Sequence, residues 1–169
     1  MILTGRQLHG EGSLLEKLAR AWASQPVHYE DRVPEELAAI AQRACRRDPF
    51  ERYASAEAFR QEIARFLSRR TSRRLALEAR LRLRALEELV DGDDVFAPEV
   101  HELYAECRFG FREALRDWPD NPEALEGQDA AARAMAGFEL SEGRADHASV
   151  LLDELEHPPE DLVRDVERR

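Results

Sequence analysis

The sequence predicts an all-α fold, and three observations carry that prediction. Apolar residues recur at helical spacing along most of the chain: Leu37, Ile40, Ala41 and Ala44, then Phe59, Ile63, Phe66 and Leu67, then Leu75, Ala79, Leu83, Leu86 and Val90. Helix-starting and helix-stopping residues stand at the ends of those stripes. Apolar content of 43% lies beside 36% charged residues, and eight Pro with eight Gly are too few for a disordered chain. At 169 residues the chain has room for one domain, or two small ones, with a real core.

Ser13-Leu14-Leu15-Glu16 is a capping box that opens a helix to about residue 24, with Leu14, Leu15, Leu18, Ala21 and Trp22 on its apolar face. Residues 25–32, including His28 and Tyr29, read as an extended loop. Residues 33–67 read as helix, tight turn, helix, the turn being Asp48-Pro49-Phe50-Glu51-Arg52-Tyr53. Pro34 suits a first helical position, where a missing N–H costs nothing. Pro49 biases Asp48 away from helical angles and so ends the first helix. Ser55 caps the second, and Glu57 lies near the positive end of its dipole.

After Leu67, the run Ser68-Arg69-Arg70-Thr71-Ser72 leads into a separate helix over about 73–90. Asp91-Gly92-Asp93-Asp94 ends it as a turn, because the carboxylates lack the D-x-D-x-D-G spacing of a calcium loop. Residues 98–118 form an amphipathic helix carrying Val100, Leu103, Tyr104, Cys107, Phe111 and Leu115, with Phe109 also expected in the core. A helix over 122–142, Gly143 at a turn and a helix over 145–155 complete the pattern, the last using Ala145, Ala148, Leu152 and Leu155. Ala131, Ala132, Ala136 and Ala148 let these helices approach closely.

Two of these stretches resemble known families. Residues 33–67, with Asp48, Pro49, Arg52, Tyr53, Ser55 and Ala56 as ordered anchors, resemble the last two helices of the large lobe of bacterial, eukaryotic-like Ser/Thr protein kinases. Leu3-Thr4-Gly5-Arg6 looks like the segment leaving that lobe's central helix, although Gln7-Leu8-His9 stands where the family has Pro and Phe. The resemblance covers roughly the first 70 residues and implies that residues 1–6 are the tail of a helix whose body is absent. Asp48, Pro49, Arg52 and Tyr53 are its structural residues.

The kinase chemistry is missing. A kinase needs a Gly-rich loop and strand lysine for ATP, a catalytic-loop Asp and Asn, and a DFG Asp for Mg²⁺. The sole lysine, Lys17, lies in a helical segment, and His9-Gly10-Glu11-Gly12 has Leu15 where a third glycine belongs. Ala97-Pro98-Glu99 spells the kinase APE but follows the terminal helices instead of preceding them. The resemblance implies that Arg52 would pair with that glutamate, so here Arg52 needs another acceptor or water. The chain itself is therefore expected to have no catalytic, cofactor or metal residues; ATP and Mg²⁺ belong only to a full-length parent.

The second resemblance is to tetratricopeptide repeats. Residues 114–124, ALRDWPDNPEA, look like the junction between two repeats, and Pro158-Pro159 matches a closing proline. The helix from residue 122 is about two turns too long for the usual repeat. One such unit cannot make a solenoid alone, so it must pack on preceding helices or on another molecule.

Charge is uneven. Residues 1–84 hold 17 basic and 11 acidic side chains, a net of +6, and residues 85–169 hold 8 and 24, a net of −16. Arg65, Arg69, Arg70, Arg73, Arg74, Arg80, Arg82 and Arg84 form one basic stretch. It reads as a helix surface docking on the acidic half, and not as a nucleic-acid patch, because no aromatic is interleaved and the whole chain is acidic. Cys45 and Cys107 have no metal-like spacing and read as free, half-buried thiols. His101-Glu102 begins an H-E-x-x-H pattern, but position 105 is Ala, which excludes a zinc site there.

No apolar run reaches the ~20 residues a bilayer needs, and the N-terminus lacks an export signal, so a cytoplasmic location is expected. Three segments result: 1–70, a kinase C-lobe terminal fragment; 71–96, a basic connecting helix and turn; and 97–169, a tetratricopeptide-like helical region. The expected role is protein–protein interaction or scaffolding, with a protein partner or a second copy of the chain bound. Tyr104, Arg108 and Arg112 are the candidate partner-binding residues, with Phe109 beside them. Without the lobe's central helix, the apolar faces at residues 37–44 and 59–67 need another cover, at ~25 cal/mol per Å² left exposed.

Overall fold

The computed structural model describes Leu3 and residues 13–23, 28–92 and 95–168. The expected helix tail at residues 1–6 (Leu3 apart), the G-x-G segment, Asp93 and Asp94 lie outside the described residues. The fold is all-α: among the described residues there are seven α-helices, one short 3-10 turn and no strand. The chain divides into two compact units, Met1–Leu67 and Ser68–Arg169.

In the first unit, α1 spans Leu14–Ala23. Its capping box forms as expected: Glu16 accepts from the Ser13 backbone N–H at 2.8 Å, and Ser13 Oγ accepts from the Glu16 N–H at 3.4 Å. The helix buries no residue, and Leu14, Leu15, Leu18 and Trp22 are exposed. α2 spans Glu35–Ala44 and buries Ile40. Pro34 sits one position earlier than expected, as the N-cap.

α2 ends at Ala44, well before Pro49. Pro49 instead starts the 3-10 turn Pro49–Glu51, capped by Asp48, whose side chain accepts from the Phe50 N–H at 2.9 Å. Ser55 caps the next helix by accepting from the Ala58 N–H at 3.0 Å. Phe66 is buried and Phe59 and Ile63 are half-buried, but Leu67 is exposed.

That helix, α3, runs unbroken from Ala56 to Val90. The separate helix expected over 73–90 is its second half. Nothing between these residues is Gly or Pro, so neither backbone freedom nor a lost donor stops it. The serines that suggested a break serve the tertiary structure: Ser72 is fully buried and donates to the Ala114 carbonyl at 2.6 Å, and Ser68 donates to the Asp117 carbonyl.

In the second unit, α3 is followed by α4 (Ala97–Asp117), α5 (Pro122–Ser141), α6 (Ala145–Asp153) and α7 (Glu160–Glu167). Contacts pair the middle of α3 with late α4 (Ser72 with Ala114) and a later part of α3 with the middle of α4 (Arg82 with Glu106), so these helices are antiparallel. α5 returns beside both. Its N-cap Asn121 accepts from the Glu123 and Ala124 N–H groups, and Pro122 occupies the first turn. At its other end Gly143 takes φ 78°, which lets the Arg144 N–H reach the Glu139 carbonyl at 2.8 Å.

α5 is the central helix and is apolar on two sides. One side joins Ala76, Ala79, Leu83 and Leu86 of α3 and Val100, Cys107 and Phe111 of α4 in a core with Ala131, Met135 and Phe138. The other packs Ala132, Ala136 and Leu140 on Ala148 and Leu152 of α6, with Leu162, Val163 and Val166 of α7 against them. Small residues set the approach. A Cβ at Gly127 would lie 2.3 Å from the Phe111 ring, and one at Gly110 would lie 2.8 Å from the Ala79 Cβ.

Two features depart from the sequence-based pattern. α6 ends at Asp153, and Leu155 is buried in the turn beyond it. A further helix follows: Pro159 is the N-cap of α7, with Glu160 and Asp161 in the first turn.

Candidate functional site

Asp48, Pro49, Arg52 and Tyr53 of the first unit meet at one corner. Arg52 turns back on the chain: Nε donates to the Arg46 carbonyl at 2.6 Å and Nη2 to the Arg47 carbonyl at 3.3 Å. These two carbonyls take the place of the carboxylate that the resemblance implies. Tyr53 is flanked by the Arg43 guanidinium, 4.5 Å from its ring centroid, and by Phe59 at 5.4 Å. Asp48 and Pro49 shape the turn, and Tyr53 links Arg43 of α2 to Phe59 of α3.

In the second unit, Tyr104 and Arg108 come together with Gln128, Asp129, Glu154 and Leu155 in a recess between α4, α5 and the end of α6. Arg108 Nη2 donates to Glu154 Oε1 at 2.9 Å. Burial raises the Tyr104 phenol above its ordinary value against the opposing charge of Arg108, so it stays a neutral donor. The enclosed space is about 10 Å³, room for one water, where small-molecule sites need about 300 Å³ or more. The recess is therefore too small for a metabolite, and a protruding partner side chain can enter only by displacing the Arg108–Glu154 pair.

Arg112 is not part of it. Each step of four residues advances 40° past a full turn, so position 112 has rotated out onto the exposed surface. Phe109, expected in the core, is 69% exposed. It lies on the far side of α4 from Val100, Cys107, Phe111 and Ala114, at the lip of a groove of about 230 Å³ with Leu75, Ala79 and Gly110.

Cys107 is buried and Cys45 exposed; neither is in a disulfide. Burial, outweighing nearby Arg82, pushes the Cys107 thiol up to about 11. The basic stretch docks in part as expected, with Arg82 to Glu106 at 2.8 Å and Arg80 to Glu126 at 3.3 Å. Arg73 lies over the Trp118 ring, 5.2 Å from its centroid, an aromatic that sequence proximity could not reveal.

The sequence reasoning also missed a buried carboxylate. Glu139 is 2% exposed and accepts from His101 Nε2 at 3.1 Å and from Arg144 Nε, with His147 Nδ1 3.5 Å away. His101 Nδ1 contacts the Ala97 carbonyl at 2.7 Å, which anchors the ring at the start of α4. Burial alone would raise the Glu139 carboxyl; the Arg144 hydrogen bond and charge, with His101, outweigh it and hold the carboxyl below its ordinary range. Arg144 Nη2 is buried without a hydrogen-bond partner, a cost partly offset by the Phe138 ring 5.6 Å from the guanidinium. With its oxygens occupied, this carboxylate clasps α4, α5 and α6 together. A Glu four residues before Gly143, with a histidine four residues past the start of α4, was the available signal.

Among the described residues no group of three or more His, Cys, Asp or Glu side chains could hold a metal ion. Among them, too, no helix is long and apolar enough to cross a membrane. No known protein family, curated protein or solved structure matches the chain.

Proposed function

We propose that the chain is a non-catalytic C-terminal portion of a bacterial Ser/Thr protein kinase and works as a protein–protein interaction module. The observation that supports it most is the recess on the second unit. Successive antiparallel hairpins α4–α5 and α5–α6 set Tyr104, Arg108 and Glu154 around an opening too small for a metabolite. A partner side chain can displace the exposed Arg108–Glu154 pair at little cost, since exposed ion pairs are worth ~1 kcal/mol or less. Capture from the source cell with the full chain tests this. A partner retained by the wild type and lost with Tyr104→Ala together with Arg108→Glu is the expected result. Recovery that ignores residues 98–157 removes the support.

A second reading is that the chain is part of an active kinase whose catalytic residues lie upstream. The corner of Asp48, Pro49, Arg52 and Tyr53 favours it, because α2, the turn and α3 follow the order of the lobe's last helices. Sequencing the DNA immediately 5′ of the reading frame discriminates. In-frame HRD and DFG codons support an active parent; their absence supports a stand-alone remnant.

A further inference from the structure

Within the second unit, positions 70, 74, 77, 81, 84 and 88 of α3 follow one another at alternating spacings of four and three. That is the spacing of a coiled-coil seam, in which every residue returns to the same side of the helix. The six residues are Arg70, Arg74, Leu77, Leu81, Arg84 and Glu88, and all are exposed. The residues of α3 that enter the core, Ala76, Ala79, Leu83 and Leu86, lie on the other side. Leu77 is 64% and Leu81 59% exposed, one turn apart.

The arginines of this helix divide in the same way. Those turned toward neighbouring helices have carboxylates from them, Arg82 from Glu106 and Arg80 from Glu126. On the seam, Arg74 has only Glu78 of its own helix at 2.7 Å. Arg70 and Arg84 make no ion pair among the described residues. Neighbouring helices thus supply carboxylates to the inward Arg80 and Arg82, whereas on the seam only Arg74 has one, from its own helix.

We propose that this seam docks an acidic amphipathic helix of a protein partner, with apolar side chains over Leu77 and Leu81 and carboxylates against Arg70, Arg74 and Arg84. The proposal rests on the interaction-module reading and gives it a surface separate from the Tyr104–Arg108 recess. Charge complementarity selects the occupant. A second copy is disfavoured at the centre of the seam: antiparallel pairing that joins Leu77 to Leu81 sets Arg74 against Arg84 beside the leucines, leaving attraction only at the ends where Arg70 meets Glu88, and parallel pairing sets each arginine against its copy. An extended polyanion would meet the field of a chain with net charge −10. A single helix touches only the stretch from Arg70 to Arg84, about 21 Å long.

The test is an anisotropy titration of the full chain into a labelled, stapled helical peptide carrying two leucines one turn apart, flanked by glutamates on the same face. Saturable, salt-sensitive binding is expected, weakened about tenfold or more by Leu77→Ala with Leu81→Ala, and equally by Arg70→Glu with Arg84→Glu. These positions are exposed, so circular dichroism and Tm should stay at wild-type values. Tyr104→Ala with Arg108→Glu should leave peptide binding unchanged, so this proposal and the recess can fail separately. Absent binding, equal binding of a scrambled peptide, or indifference to the seam variants overturns it. So does seam-dependent binding of phosphatidylserine vesicles or duplex DNA, or a dimer in sedimentation that the leucine variants abolish.

Discussion

Asn121 Nδ2 donates to Ser72 Oγ at 2.7 Å, joining two fully buried polar side chains on α5 and α3. Ser72 Oγ in turn donates its O–H to the Ala114 carbonyl at 2.6 Å, and Asn121 Oδ1 caps α5. One small network thus fixes the middle of α3 to the corner where α4 turns into α5. Truncating Asn121 to Ala removes the cap and leaves Ser72 without its donor, so a loss of about 2–3 kcal/mol is expected. Ser72→Ala should cost about 1–2 kcal/mol. In chemical denaturation the double variant should fall short of the sum by about 1 kcal/mol; strict additivity would show that the two side chains do not act together.

The close approach of α4 and α5 depends on Gly127 lacking a side chain. Gly127→Ala drives a methyl into the Phe111 ring, and a loss of about 2–3 kcal/mol is expected in the same assay. Adding Phe111→Leu should recover part of that loss. A Gly127→Ala chain as stable as wild type would contradict the packing.

Glu139 sets a pH dependence. Its carboxyl is held below the ordinary range in the folded chain, so the stability it supplies is present above about pH 4.3 and is lost as pH falls through the lowered folded value. Glu139→Gln should be less stable than wild type near neutral pH, and the gap should shrink as pH falls below about 4. Arg144→Met, which strands the carboxylate, should lower stability near neutrality and lose less at low pH. Thermal melts across pH check both.

The two thiols should react very differently. Cys107 is buried with its thiol pushed up to about 11, while Cys45 is exposed. Brief alkylation of the native chain, read by peptide mass spectrometry, should modify Cys45 and spare Cys107 until denaturant is added. Equal labelling of both would show that the α3–α4–α5 core opens readily.

The helices were legible because their apolar stripes and caps are local. Ser13 and Glu16, Ser55, Asn121 and Gly143 mark ends that the structure places within a residue or two. What the sequence hid was decided by distant partners. Ser68 and Ser72 looked like a break until the carbonyls of Asp117 and Ala114 supplied their acceptors. Phe109 looked apolar enough for the core, but its angle on α4 points it away from the stripe through Val100 and Phe111. In the recess, Tyr104 and Arg108 were visible as neighbours on α4, whereas Glu154 reaches them only through the fold. Glu139 passed as an ordinary surface acid because Arg144, His101 and His147 reach it only once α4, α5 and α6 are packed together.

The proposed function has this chain serve by binding proteins, with no phosphotransfer of its own. Calorimetric titration of Mg-ATP into the full chain tests it most directly. The account predicts no binding heat beyond dilution. A saturable isotherm with a micromolar Kd would contradict it.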